Sequence, residues 1–322
     1  MSAYTIKKQT FSRFLGLLFA IAYGFFIVGY LHYFYSMDSG DIGSYVNFFD
    51  NNKGSSMEHI FDTYSIRGDG VFRVGVIFLG DYFNTEPITV LSYLAFIISS
   101  LFFFIFSVNI RSSKYLIYIL PLFLMIFLTP MVSNLFASGI RSGIAFIILM
   151  VSFMYLKGFW KYVLFLISSL IHLSMIPIIS LYILYYMFEW IRIKSPFIVP
   201  LFLLSLFSFA IVIASYLLKF NATEISSSIF FNVLVLCLGL LIIFTNKKVI
   251  KNIYGFISIG LILIYLFGLI IDLSFSRYIG NAIILYLLFL IEKGESGTIQ
   301  VFTTAYVPIF LITAFYAIAN NF

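Results

Sequence analysis

Long apolar runs alternate with short polar connections along the whole chain, and the runs are too long and continuous for the half-buried elements of a soluble fold. Taking apolar stretches of about 15 to 25 residues as membrane spans, the pattern predicts helices near residues 14–35, 87–108, 115–131, 140–156, 162–175, 177–190, 197–218, 229–245, 253–271, 278–291 and 299–319. The expected fold is therefore all-α, a polytopic transmembrane helical bundle of about 10 to 11 spans, built as one integral membrane domain over residues 1–322. Two of the spans, 162–175 and 177–190, are short. Their junction, Ser174 to Pro177, could join two helices or interrupt one re-entrant helix.

Only one connection is long. Residues 36–86, rich in Asp, Gly, Asn and Ser, are expected to form an extracytoplasmic loop after the first span. The later part of that loop, VFRVGVIFLGDYF, is apolar but too short to span with Arg73 inside it, so it is expected to lie in the membrane interface. Long loops within compact domains are usually functional. The inner connections are all short, which leaves no room on that side for a soluble catalytic or nucleotide-binding domain.

Composition sharpens this picture. With 62% hydrophobic and 10% charged residues, 322 residues carry too little polar surface for a soluble globule. The net charge of +6 raises nucleic acid as a partner, but the basic residues fall between apolar runs, where they report orientation; no nucleic-acid partner is expected. Of the 19 Lys and Arg residues, six (Lys53, Arg67, Arg73, Arg141, Lys219 and Arg277) fall on one side and all the others on the opposite side. By the positive-inside rule the N-terminus is cytoplasmic and the C-terminus outside. The first apolar run follows Lys7, Lys8 and Arg13 but is too long for a signal-peptide core, so it reads as a retained span. Cys237 is the only cysteine, which excludes a disulfide framework and a cysteine metal site.

Candidate chemistry concentrates in residues 139–177, a core helix pair. An apolar helix opens with Arg141, a basic turn runs from Lys157 to Lys161, and a second apolar helix carries His172. Charged and imidazole groups within apolar spans are costly unless paired or wetted, which makes them functional candidates. His172 lies roughly 16 Å from Lys161 along its helix, and Arg141 roughly 24 Å from Lys157, in a hydrocarbon core of about 30 Å. Both side chains are therefore expected in the same half of the membrane. Gly139 and Gly143, four apart, allow close helix packing.

Each group has a functional and a structural reading. Arg141 could grip a phosphate or pyrophosphate with two prongs, or snorkel to the headgroups. His172 could act as a general base or donate to a phosphate oxygen, or it could hold an interhelical hydrogen bond. Arg277, in the outer turn Asp272 to Tyr278, could add a second positive charge or pair with Asp272. Asp38 and Asp41, with Tyr45 one helical turn later, could bind a divalent ion, position a sugar hydroxyl or serve as a base. Phosphate-binding glycine loops, zinc spacings and serine-nucleophile elbows are absent from the sequence.

These segments resemble a known family. RSGIAFIILMVSFMYLK, the basic turn and LISSLIHLSMIPI are similar to the Arg-x-Gly helix start and the later His-x-Ser of the EpsG-like branch of the Wzy-type polysaccharide polymerases. Asp41 to Tyr45, Gly68-Asp-Gly-Val-Phe72 and Ser276-Arg-Tyr278 resemble its outer-face elements. Ser142 stands where the family often has glutamine, and Gly68-Asp-Gly where Glu-Pro-Gly is common.

The resemblance implies an enzyme of the bacterial cytoplasmic (inner) membrane. Such a glycosyltransferase joins oligosaccharide repeat units carried on undecaprenyl pyrophosphate at the outer face, making O-antigen, capsule or exopolysaccharide. It implies Arg141 and Arg277 on the pyrophosphate, His172 and Asp41 in catalysis, and Asp38, Tyr45, Asp69 and Tyr278 on sugar or loop contacts. The implied partners are undecaprenyl-pyrophosphate-linked glycans and the lipid bilayer, with a chain-length regulator as a further candidate. Pyrophosphate is already a good leaving group, so neither a metal nor a cofactor is expected. Two rivals stand beside this reading: a glycosyltransferase using a lipid-monophosphate sugar, with Asp38 and Asp41 as metal ligands, and a lipid-linked oligosaccharide flippase.

Overall fold

The computed structural model describes residues 3–36, 41–52, 54–56, 58–59, 70–109, 116–190, 198–217, 223–224, 235–242, 249–270, 273–274, 277–293 and 306. The chain is an α-helical membrane protein. Its helices are α1 (Ala3–Ser36), α2 (Asp41–Asn52), α3 (Gly70–Phe83), α4 (Pro87–Val108), α5 (Leu116–Phe127), α6 (Ile140–Tyr155), α7 (Phe159–Ile171), α8 (Met175–Trp190), α9 (Ile198–Leu217), α10 (Ile253–Ile270) and α11 (Arg277–Lys293). The short segments Pro130–Ser133 and Val249–Lys251 and residues 235–242 are also helical. Two dipeptide strands, β1 (Thr223–Glu224) and β2 (Leu273–Ser274), pair antiparallel with Thr223 opposite Ser274.

Among the described residues three helices are long and apolar enough to cross a membrane: Arg13–Tyr33 within α1, α4 and α10. Five further apolar helices are shorter, including α6, α7 and α8. Helices of 13 to 16 residues reach only about 20 to 24 Å, less than a hydrocarbon core of about 30 Å. The predicted span 299–319 lies outside the described residues except for Tyr306.

Contacts divide the chain into two compact units, Met1–Val108 with Ser133–Ile176, and Asn109–Val132 with Pro177–Phe322. In the first, α1 and α4 pack antiparallel: Tyr23 meets Phe103 at 5.7 Å between ring centroids, and His32 lies 3.1 Å from the Ser92 hydroxyl. A Cβ on Gly24 would collide with Ser100 and Phe96, so this crossing depends on a bare backbone. The residues 36–86, expected as a loop, contain two helices instead. α2 and α3 pack against each other and on α4, burying Tyr45, Phe48, Phe49, Phe72, Val76 and Ile77. α3 thus packs one apolar face on protein and leaves Phe78, Tyr82 and Phe83 exposed.

The second unit is built around α10, packed against α9 and α11. Serine hydroxyls tie these helices together by donating to carbonyls of the neighbouring helix, Ser208 to Gly260 at 3.3 Å and Ser258 to Ala282 at 2.7 Å. Other serines bond their own preceding turn, as Ser99 does to Ala95 at 2.6 Å. Where water is absent every hydroxyl needs such a partner. The surface carries the opposite pattern to a soluble protein, with Phe25 67%, Leu166 61% and Phe202 59% exposed, as lipid-facing positions require.

Candidate functional site

The site is built on the α6–α7 hairpin. α6 ends at Tyr155, Leu156 is extended, and Gly158 takes φ 63° and ψ −144°, a conformation that costs little only without a side chain. Exposed Tyr155, Phe159, Trp160 and Tyr162 surround this turn. Two serine hydroxyls then pin the helices in register. Ser152 donates to the Lys161 carbonyl at 3.1 Å, and seven residues further along each helix Ser168 donates to the Ala145 carbonyl at 2.8 Å. Four more residues, about 6 Å, bring the hairpin to Arg141 on α6 and His172 on α7. The two residues are therefore level along the hairpin, as its hydrogen-bonded register sets.

Arg141 sits at the start of α6 because the chain folds tightly just before it. Residues 133–139 form overlapping turns, with the Gly139 N–H donating to the Asn134 carbonyl at 2.8 Å. A Cβ on Gly143 would lie 2.5 Å from the Leu135 carbonyl oxygen and 2.9 Å from Phe136. The close packing anticipated at the two glycines is thus against the chain's own preceding turn, which presses on the first turn of α6.

The Arg141 guanidinium is held by Tyr45. Its Nε–H donates to the phenol oxygen at 2.6 Å, and its Cζ lies 5.3 Å from the centre of the same ring. Tyr45 is buried on α2 and packs edge-on against Phe72 of α3 at 5.2 Å. The phenol oxygen accepts this bond and so orients the guanidinium.

A second guanidinium shares that ring. Arg73 of α3 lies with Cζ 5.9 Å from the Tyr45 centroid and 4.4 Å from that of Phe48. The two guanidinium carbons are thus no further apart than the sum of 5.3 and 5.9 Å, about 11 Å. At an effective dielectric of about 20, like charges at that limiting distance repel by about 1.5 kcal/mol, and by more if they are closer. Sequence reasoning placed Arg73 in the interface and did not connect it with Arg141. The only signal was a lone cation within an apolar run.

His172 ends α7. It is buried, with extended φ −153° and ψ 116°, and α8 begins three residues later at Met175. The stretch around Pro177 is therefore a break between two helices, located at His172 to Ser174 and not at the proline. The Ser174 backbone N–H donates to His172 Nδ1 at 3.1 Å, and the Ser174 hydroxyl lies 2.6 Å from the same nitrogen. A backbone amide can only donate, so Nδ1 is the acceptor and the hydrogen of the neutral ring sits on Nε2. In this tautomer Nε2 is the donor nitrogen of the ring.

Asp41 opens α2, one turn before Tyr45. Asp38 and Asp69 lie outside the described residues, and the same holds for the side chains of Asp41 and Arg277. Arg277 opens α11 in the second unit, where Tyr278 is buried and the amide oxygen of buried Asn281 has no hydrogen-bond partner. Ser142, beside Arg141, is buried with its hydroxyl likewise unsatisfied. Among the described residues no group of three or more His, Cys, Asp and Glu side chains is placed to hold a metal ion.

Comparison with known protein families, with curated proteins and with solved structures found no match to this chain.

Proposed function

We propose that this chain is a membrane polysaccharide polymerase that joins undecaprenyl-pyrophosphate-linked oligosaccharide units at the outer face of a bacterial cytoplasmic membrane, its N-terminus in the cytoplasm. The observation that carries this reading is the Arg141 guanidinium, anchored through Nε on Tyr45 and level with the His172 imidazole at the open end of one hairpin. A fixed cation level with an N–H donor suits a leaving pyrophosphate better than it suits a sugar alone.

In the proposed reaction an acceptor hydroxyl oxygen attacks the anomeric carbon of the donor chain. The bond from that carbon to the pyrophosphate oxygen breaks, and the charge that develops on the pyrophosphate is stabilised by Arg141 and by the Nε2–H of His172. The acceptor proton passes to Asp41. The Ser174 N–H on Nδ1 supports the donor role for His172, and the base role then goes to Asp41 at the start of α2, one turn before Tyr45.

The test is deletion of the gene in its native host, complementation with wild type or Arg141→Ala, and sizing of the surface glycan on a gel. A ladder that collapses to one repeat unit on deletion, and is restored by wild type but not by Arg141→Ala, is the expected result. Loss of all surface glycan with lipid-linked units trapped inside would replace the polymerase with a flippase. An intact ladder whose extension depends on a chelatable metal would replace it with a lipid-monophosphate glycosyltransferase.

A further inference from the structure

We infer that Arg73 and Arg141, which both lie against the Tyr45 ring, form a two-cation seat that selects a diphosphate over a monophosphate headgroup, with Tyr45 as the positioning residue. The inference rests on the polymerase reading and deepens it by assigning to α3, within the segment expected as a loop, the choice of lipid carrier. Tyr45 is buried, reaches Arg141 Nε through its hydroxyl at 2.6 Å, and presents one ring to both guanidinium carbons, at 5.3 and 5.9 Å. Phe48 carries the Arg73 guanidinium at 4.4 Å, so the second cation is positioned by packing as well. The two cations come from different helices and share a single post.

A diphosphate can give one phosphate to each guanidinium at once, whereas a monophosphate engages one guanidinium fully and the other only at a distance. Both arginines are half-buried, so solvent screens them less than it would on an open surface. Fixing both before the ligand arrives removes the ordering cost that two free side chains would add.

The experiment uses the full chain in phosphatidylcholine nanodiscs and measures binding of undecaprenyl pyrophosphate, undecaprenyl monophosphate and inorganic pyrophosphate by thermophoresis. Wild type is expected to prefer the diphosphate lipid by at least about tenfold, a difference of about 1.4 kcal/mol. Arg73→Met keeps the apolar stem on Phe48 and should bring the two lipids to within about threefold of each other, while Arg73→Lys retains part of the preference. Tyr45→Phe should weaken both lipids, since Arg141 loses its anchor. If Arg73→Met melts early, Arg73→Gln takes its place.

A folded Arg73→Met protein with its preference intact overturns this inference and leaves the polymerase reading standing. Wild type that fails to bind undecaprenyl pyrophosphate overturns the polymerase reading. Inorganic pyrophosphate bound in an Arg73-dependent way would in that case retain the seat for a free anion. Inorganic pyrophosphate that displaces the lipid from wild type but does not bind Arg73→Met supports the seat as the headgroup's own.

Discussion

Gly143→Ala isolates the feature that places Arg141, because it adds one methyl group and touches no charged residue. That methyl would sit 2.5 Å from the Leu135 carbonyl oxygen and 2.9 Å from Phe136 Cδ1. Carbon and carbonyl oxygen approach comfortably only to about 3.3 Å, so a gap of about 0.8 Å must open. The oxygen belongs to the backbone, and the Leu135 and Phe136 side chains are both buried, so neither neighbour can swing aside. The start of α6 must move instead, at a cost of about 1 to 3 kcal/mol, as in other overpacked sites. Arg141 rides on the same turn. A shift of that size stretches its 2.6 Å bond to Tyr45 past about 3.2 Å, beyond useful hydrogen-bonding range. A displacement near 1 Å at a reacting site can cost about 100-fold in rate.

Thermal unfolding of the purified protein in detergent should therefore show a lower midpoint for Gly143→Ala, and complementation of the deletion strain should give a strongly shortened glycan ladder. Gly75→Ala is the control, since nothing lies within 4 Å of a Cβ there. It should leave both readouts unchanged. A Gly143→Ala protein with wild-type melting and a normal ladder would refute the argument that this contact positions Arg141.

Other consequences are open to the same assays. His172→Gln should retain more chain extension than His172→Ala, because the amide can supply an N–H where Nε2 supplies one; equal loss in both would return His172 to the base role. Ser168→Ala removes the hydroxyl that bonds the Ala145 carbonyl and should cost about 1 kcal/mol, seen as a lower unfolding midpoint. An unchanged midpoint would mean that packing alone sets the hairpin register. Gly158→Ala meets no atom within 4 Å yet is held at φ 63°, so its cost of about 1 to 3 kcal/mol is purely backbone strain. Unperturbed melting would show that the turn can relax.

The core hairpin was readable because its signals are local. Apolar length, a basic turn with a glycine in it and two lone polar groups, one on each helix, put Arg141 and His172 in the same half of the membrane, and the Ser152 and Ser168 bonds set them level along the hairpin. The partner of Gly143 was not readable. Glycines four apart announce a close approach but do not name what approaches, and here it is the chain's own preceding turn. The break after α7 was placed late for a similar reason. Proline marks where a helix is difficult to continue, whereas the helix stops at His172, where Ser174 turns back onto the ring.

Residues 36–86 mark the limit most clearly. Their polarity and length indicate a connection, and Arg73 within a thirteen-residue, mostly apolar stretch argues against a span. By itself the sequence determined an α-helical membrane protein, because the cost of burying backbone polar groups in lipid leaves few alternatives for runs this apolar. It also determined which polar groups are expensive enough to need a reason. Only the tertiary structure decided that α2 and α3 fold back to bury Tyr45 and bring Arg73 and Arg141 onto one ring. Those three residues are separated by up to 96 positions, and a cation–π contact or a 2.6 Å hydrogen bond leaves no periodic trace along a chain.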